Sequence, residues 1–160
     1  MKFSRKMILA LCLAAGGMIS RPVLSAQNNV TQSEQKMWDS QTLQQINDAD
    51  DLKIAPFHPD MKTTGTPTWI WEVAVDGRLF VRAYSGTRSS WYQAAIKQQA
   101  GKIFAINGKE FSVAFSAVND EALNQKIDDA YRQKYGSSPY MQHMIGTSSR
   151  AATVEILPRQ

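Results

Sequence analysis

Thiol chemistry is almost absent from this chain of 160 residues: its one cysteine, Cys12, lies in an N-terminal apolar run. The rest has no disulfide, no thiolate nucleophile and no cysteine metal site. Histidine is nearly as scarce, with only His58 and His143, neither with a second histidine at ligand spacing. No Gly-Xaa-Ser-Xaa-Gly occurs, and the histidines have no evident serine and carboxylate partners, so nucleophilic hydrolysis finds little support. The moderately apolar run Met7 to Ile19 is shorter than the roughly 20 residues that span a bilayer, and nothing later is apolar enough to replace it.

Surplus positive charge is missing from the body of the chain as well. Residues 1–26 hold Lys2, Arg5, Lys6 and Arg21 but no acidic residue, so without them the 18 basic groups fall to 14, equal to the acidic ones. A neutral domain offers no electrostatic footprint to a phosphate backbone, which argues against nucleic-acid binding.

Those first 26 residues have the layout of an export signal: basic residues, the apolar run, then Arg21-Pro22 and the small Ser25 and Ala26. A mature protein starting near Gln27 is expected to be exported, periplasmic or secreted, with no membrane association after signal removal. Ser4-Arg5-Lys6-Met7-Ile8-Leu9 resembles the twin-arginine signal with its second arginine replaced; the plain secretory route is the alternative.

Residues 27–39 are polar and Gln/Asn-rich and read as a flexible lead-in to a domain over 40–160. Ser40 can cap a short helix carrying Leu43 and Ile46, ended by Asn47-Asp48-Ala49-Asp50-Asp51. Leu52 to Phe57 reads as a first strand. Asp76-Gly77 tolerates the positive φ angles of a type I′ turn, so Trp69 to Tyr84 forms a hairpin with Val75 opposite Arg78. That register sets Val73 against Phe80, Trp71 against Arg82 and Trp69 against Tyr84. One face thus gathers aromatics around a guanidinium, an exposed surface suited to a homodimer. The other face, Ile70, Ala74, Leu79, Val81 and Ala83, suits a barrel interior, with Glu72 out of place.

Ser89 or Ser90 caps a second helix, stopped at Ala100-Gly101, where glycine supplies the left-handed terminating conformation. Asn107-Gly108 turns a second hairpin. Asn119 opens a third helix with the stripe Leu123, Ile127, Ala130, Tyr131 and Tyr135, ended by Gly136. After an irregular segment, Ala152 to Leu157 is a closing strand. Six strands joined by hairpins indicate a mainly β protein with helices: a small antiparallel barrel.

Over about Leu43 to Pro158 the chain resembles the family called domain of unknown function 2255. The resemblance rests on Ile54-Ala-Pro-Phe57, Gly65-Thr-Pro-Thr-Trp-Ile-Trp71, Asp76-Gly77, Leu79-Phe-Val-Arg-Ala-Tyr-Ser-Gly86, Ser90-Trp-Tyr-Gln-Ala94, Gly101-Lys-Ile103 and Ile127-Asp-Asp-Ala-Tyr-Arg-Gln-Lys-Tyr135. That family is in turn similar to the flavin-binding split barrels, the group of pyridoxamine phosphate oxidase-like proteins and deazaflavin-dependent nitroreductases. The resemblance implies a six-stranded split barrel of the FMN-binding type, an oxidoreductase acting on a small molecule, and FMN or a deazaflavin as cofactor. It would place the cofactor phosphate on Arg82, Ser85, Gly86, Thr87, Arg88 and Ser89, with Trp91 and Tyr92 on the wall and Trp69, Trp71 or Tyr84 against the ring. A guanidinium, hydroxyls and free amides at a helix start do form an anion site.

Plainer readings stand beside these. Arg82 can make a cation–π contact with Trp71 and need no ligand. Ser85 to Ser90 can be a loop with an N-cap. The whole can be a non-catalytic module that binds haem, another flat ligand or nothing. Tyr140-Met141-Gln142-His143-Met144 could catch copper through soft ligands, or simply pack. Asp128 and Asp129 point about 100° apart on a helix and read as solvated rather than as a paired acid and base.

Overall fold

The computed structural model describes residues 36–159, so the segment read as an export signal and the expected lead-in up to residue 35 lie outside the described residues. The helices are α1 (Ser40–Ala49), α2 (Ser90–Gln98), α3 (Glu121–Tyr135), α4 (Met141–Met144) and α5 (Thr147–Ala151). The strands are β1 (Lys53–Pro56), β2 (Thr68–Trp69), β3 (Glu72–Val75), β4 (Arg78–Arg82), β5 (Ala100–Ala105), β6 (Lys109–Ala117) and β7 (Thr153–Pro158). All seven join one antiparallel sheet in the order β2-β1-β5-β6-β7-β4-β3.

Seven strands replace the expected six because the first arm of the hairpin is broken at Ile70-Trp71. Thr68–Trp69 pairs with β1 at one edge of the sheet, and Glu72–Val75 pairs with β4 at the other. Two residues can bridge at most about 11 Å between the flanking Cα atoms. The sheet must therefore curl until its edges approach, giving a half-barrel with a seam at Ile70-Trp71.

The hairpin register has Val75 opposite Arg78 and Val73 opposite Phe80, with Asp76 and Gly77 at φ 51° and 73°. The ladder ends at Glu72–Val81 because Trp71 leaves for the seam and Trp69 pairs with Lys53, so neither stands opposite Arg82 or Tyr84; Arg82 keeps only its pairing with Thr153 on the other side of β4. One face of β3 and β4 joins a barrel core with Leu52, Ile54, Ile103, Val113 and Ile156. The face expected to be free for a homodimer is covered in part: Val73 and Phe80 pack under Ile127, Tyr131 and Tyr135 of α3, while Trp69 and Tyr84 stay exposed.

Local details differ for identifiable reasons. Asp39, not Ser40, caps α1, its carboxylate accepting from the Thr42 amide at 2.8 Å. The lead-in is packed by its end, since Trp38 is buried and its indole N–H donates to the Ile156 carbonyl at 2.7 Å. Gln99 rather than Gly101 takes the left-handed position after α2, at φ 58°. Gly101 already lies in β5, where a Cβ would stand 2.5 Å from the Ala55 carbonyl oxygen. The second hairpin turns through three residues, Ile106, Asn107 and Gly108, all at positive φ. The Asp51 carboxylate stabilises that turn by accepting from the amides of Ile106 and Asn107 at 2.8 and 2.7 Å. Gly136 ends α3 in a right-handed conformation.

Candidate functional site

At the barrel seam lies a pocket of about 800 Å³, within the range typical of small-molecule sites. Thr68, Trp69, Ile70 and Trp71 form one wall, in the segment that crosses between the sheet edges. Tyr84 and Ser85 follow the end of β4, and Ser89, Ser90 and Trp91 come from the start of α2. Ser138 and Tyr140 from the connection between α3 and α4, with Met144 of α4, close the site. Trp69, Tyr84 and Tyr140 are 54%, 50% and 58% exposed, which puts them at its mouth.

Of the eleven residues that the resemblance points to, the pocket brings together Trp69, Trp71, Arg82, Tyr84, Ser85, Ser89 and Trp91. Gly86, Thr87, Arg88 and Tyr92 are not among the residues that line it. Gly86, at φ 68°, lets α5 approach: a Cβ there would meet the Ser148 hydroxyl at 2.3 Å. The Thr87 carbonyl accepts from the Gln93 side chain at 3.3 Å. Arg88 is exposed on the short turn Gly86–Arg88. Tyr92 packs against the barrel core, edge-on to Trp91.

Arg82 backs the pocket but is fully buried, and its five N–H donors have five acceptors within the protein. Nε donates to the Thr153 hydroxyl at 2.9 Å. One terminal nitrogen donates to the Asp128 carboxylate at 2.5 Å and the Met144 carbonyl at 3.1 Å. The other donates to the carbonyl and side-chain oxygens of Asn124 at 3.2 and 3.0 Å. A guanidinium offers five donors, so none remains for a phosphate, and Arg82 serves as a clamp between β4, α3 and α4. Its cation–π partner is Tyr131, with 5.4 Å to the ring centroid, rather than Trp71.

Asp128 is correspondingly buried, not solvated, and shares its carboxylate between Arg82 and the Arg150 Nε at 2.9 Å. Asn124 and Asp128 sit one turn apart on α3, as polar groups inside the apolar stripe. That i, i+4 pair was the available sign that a buried cation faced the helix. Asp129 is exposed and pairs with Arg132.

Glu72 also has a partner. It is fully buried, with Oε1 accepting from the Lys134 ammonium at 2.7 Å and Oε2 without a hydrogen bond. Burial pushes its carboxyl up to about 8, Lys134 only partly opposing this, with Asp50 and Asp51 adding to the rise. The Tyr135 hydroxyl donates to Asp50, and burial followed by that bond raises the phenol well above its ordinary range.

The copper reading does not survive the packing. Met141 and Met144 are buried in the core under α3, while His143 turns outward, its Nε2 2.6 Å from the Tyr84 carbonyl oxygen and its ring stacked on Tyr84. The stretch from Tyr140 to Met144 does reach the site, through Tyr140 and Met144 as wall. Among the described residues no group of three or more His, Cys, Asp or Glu could hold a metal ion, and no helix is long and apolar enough to cross a membrane.

Residues 42–156 match the family described as "Uncharacterized protein conserved in bacteria (DUF2255)". No curated protein matches the chain. Among solved structures, the chain is similar to a conserved hypothetical protein from Mycobacterium tuberculosis, with a TM-score of 0.58 at 12% identity over 78% of this chain and 82% of that one. At that identity the likeness concerns the fold alone.

Proposed function

We propose that this chain, which belongs to the DUF2255 family, binds a flat aromatic small molecule in its seam pocket, a flavin or deazaflavin nucleotide being the ligand that the split-barrel resemblance favours. The pocket itself carries this reading: its walls hold five aromatic rings, from Trp69, Trp71, Tyr84, Trp91 and Tyr140, beside a row of hydroxyls. Aromatic faces suit an isoalloxazine ring, and the hydroxyls of Ser85 and Ser89, neither used as a helix cap, suit its polar chain. A bound flavin would supply the redox chemistry, and the chain would orient the ring and exclude water. Export before action remains part of the reading, through residues 1–26.

A non-catalytic binding module, for haem or another ring, is the second reading, favoured by one observation. Among the described residues, Arg82 is the only formally charged side chain on the lining, and all its donors are used. An absorbance spectrum of protein purified natively from the exported fraction, with mass spectrometry of released small molecules, tests both. A flavin-like band that is lost in Trp69→Ala supports oxidoreduction. A colourless protein that takes up no flavin, deazaflavin or haem leaves a structural module.

A further inference from the structure

We infer that the seam pocket recognises its ligand without charge, and takes an uncharged ring bearing a hydroxylated chain in preference to a phosphorylated one. This rests on the flavin reading and departs from it in one point: the expected ligand is the dephosphorylated flavin with its polyol chain rather than the nucleotide.

The lining carries the argument. Apart from five aromatic rings it offers the hydroxyls of Thr68, Ser85, Ser89, Ser90 and Ser138, and the one cation among the described lining residues is committed elsewhere. Arg82 spends its donors on Asp128, Asn124, Thr153 and the Met144 carbonyl, and its charge is already balanced by Asp128. Arg88 does not line the site. A phosphate monoester brings about −1.5 to −2 charges at neutral pH, and moving it into a wall with no free cation sacrifices hydration without an ion pair in return. A polyol chain faces no such cost. Each of its hydroxyls both donates and accepts, and so does each serine or threonine opposite.

The test is titration of the full chain with riboflavin, FMN and lumiflavin, which has the ring and no polyol, followed by quenching of flavin fluorescence at low and high salt. Riboflavin is expected to bind within about tenfold of FMN or tighter, without salt dependence, because a paired phosphate would contribute at least that factor. Lumiflavin should bind more weakly than riboflavin, and Ser85→Ala/Ser89→Ala should remove that difference while Trp69→Ala weakens all three. FMN tighter than riboflavin by more than about tenfold, with affinity falling as salt rises, would overturn the inference and leave the flavin reading standing. Binding of none of the three would overturn both.

Discussion

The indole of Trp71 lies flat on the phenol of Tyr135, ring centroids 4.1 Å apart and planes 3° from parallel. One ring is a wall of the pocket and the other belongs to the last residue of α3, buried against the sheet, so the seam and the helix layer are joined face to face. The Tyr131 hydroxyl adds a bond to the Trp71 carbonyl at 3.3 Å. Trp71→Ala should therefore cost about 2–4 kcal/mol, while Trp71→Phe, which keeps a stacking face, should cost about half as much. Urea unfolding checks this through the midpoint at an unchanged m value.

Arg82 and Asp128 form a buried pair whose removal strands a charge. Arg82→Ala is expected to destabilise by about 3–5 kcal/mol. Arg82→Lys should recover only part of that, since an ammonium has three donors for five acceptors. If Arg82 were instead a dispensable ligand contact, thermal melts of both variants would match the wild type.

Glu72 makes stability depend on pH in the direction opposite to an ordinary ion-paired carboxylate. Its folded value of about 8 lies well above that of an ordinary glutamate. The folded state therefore holds the proton more tightly, and the contribution, present in full below the unfolded value, is lost as pH rises through the folded one. The wild-type melting temperature should decline between about pH 5 and pH 9, and Glu72→Gln should flatten that slope. Equal slopes in calorimetric scans of the two proteins would sink the assignment.

Gly101 and Gly108 should respond differently to alanine. A Cβ at Gly101 would stand 2.5 Å from the Ala55 carbonyl oxygen and 2.7 Å from the Pro56 Cα, both backbone atoms of the neighbouring strand. Relief requires β1 and β5 to move apart, and the expected cost is about 2–3 kcal/mol. At Gly108 nothing lies within 4 Å, and only the φ of 82° opposes a side chain, for about 1 kcal/mol. Chemical denaturation of both variants measures the difference.

Local chemistry made much of this protein legible. Asp76-Gly77 defined a turn and its register because few residue pairs accept two positive φ angles, and the start of α3 was legible to within one residue, Asp120 rather than Asn119 capping it through the Leu123 amide, because short-range hydrogen bonds decide helix ends. The neighbourhood of the pocket was legible for the same reason: Trp69 to Trp91 is nearly continuous in sequence, so a hairpin, a loop and a helix start cannot fall far apart.

What local pattern could not decide were the partners. Alternation along Trp69 to Val75 reads as one strand whether or not it breaks at Ile70-Trp71, since the break comes from distant edges that both need pairing, β1 with Trp69 and β4 with Glu72. Arg82 looked free because its acceptors lie 42 to 71 residues away along the chain. Tyr140 and Met144 joined the site from a segment with no periodicity. Side-chain type and spacing determined the elements and their local turns; only the closure of the sheet, and the burial that follows from it, decided which polar groups were spent inside the protein and which were left on the pocket wall.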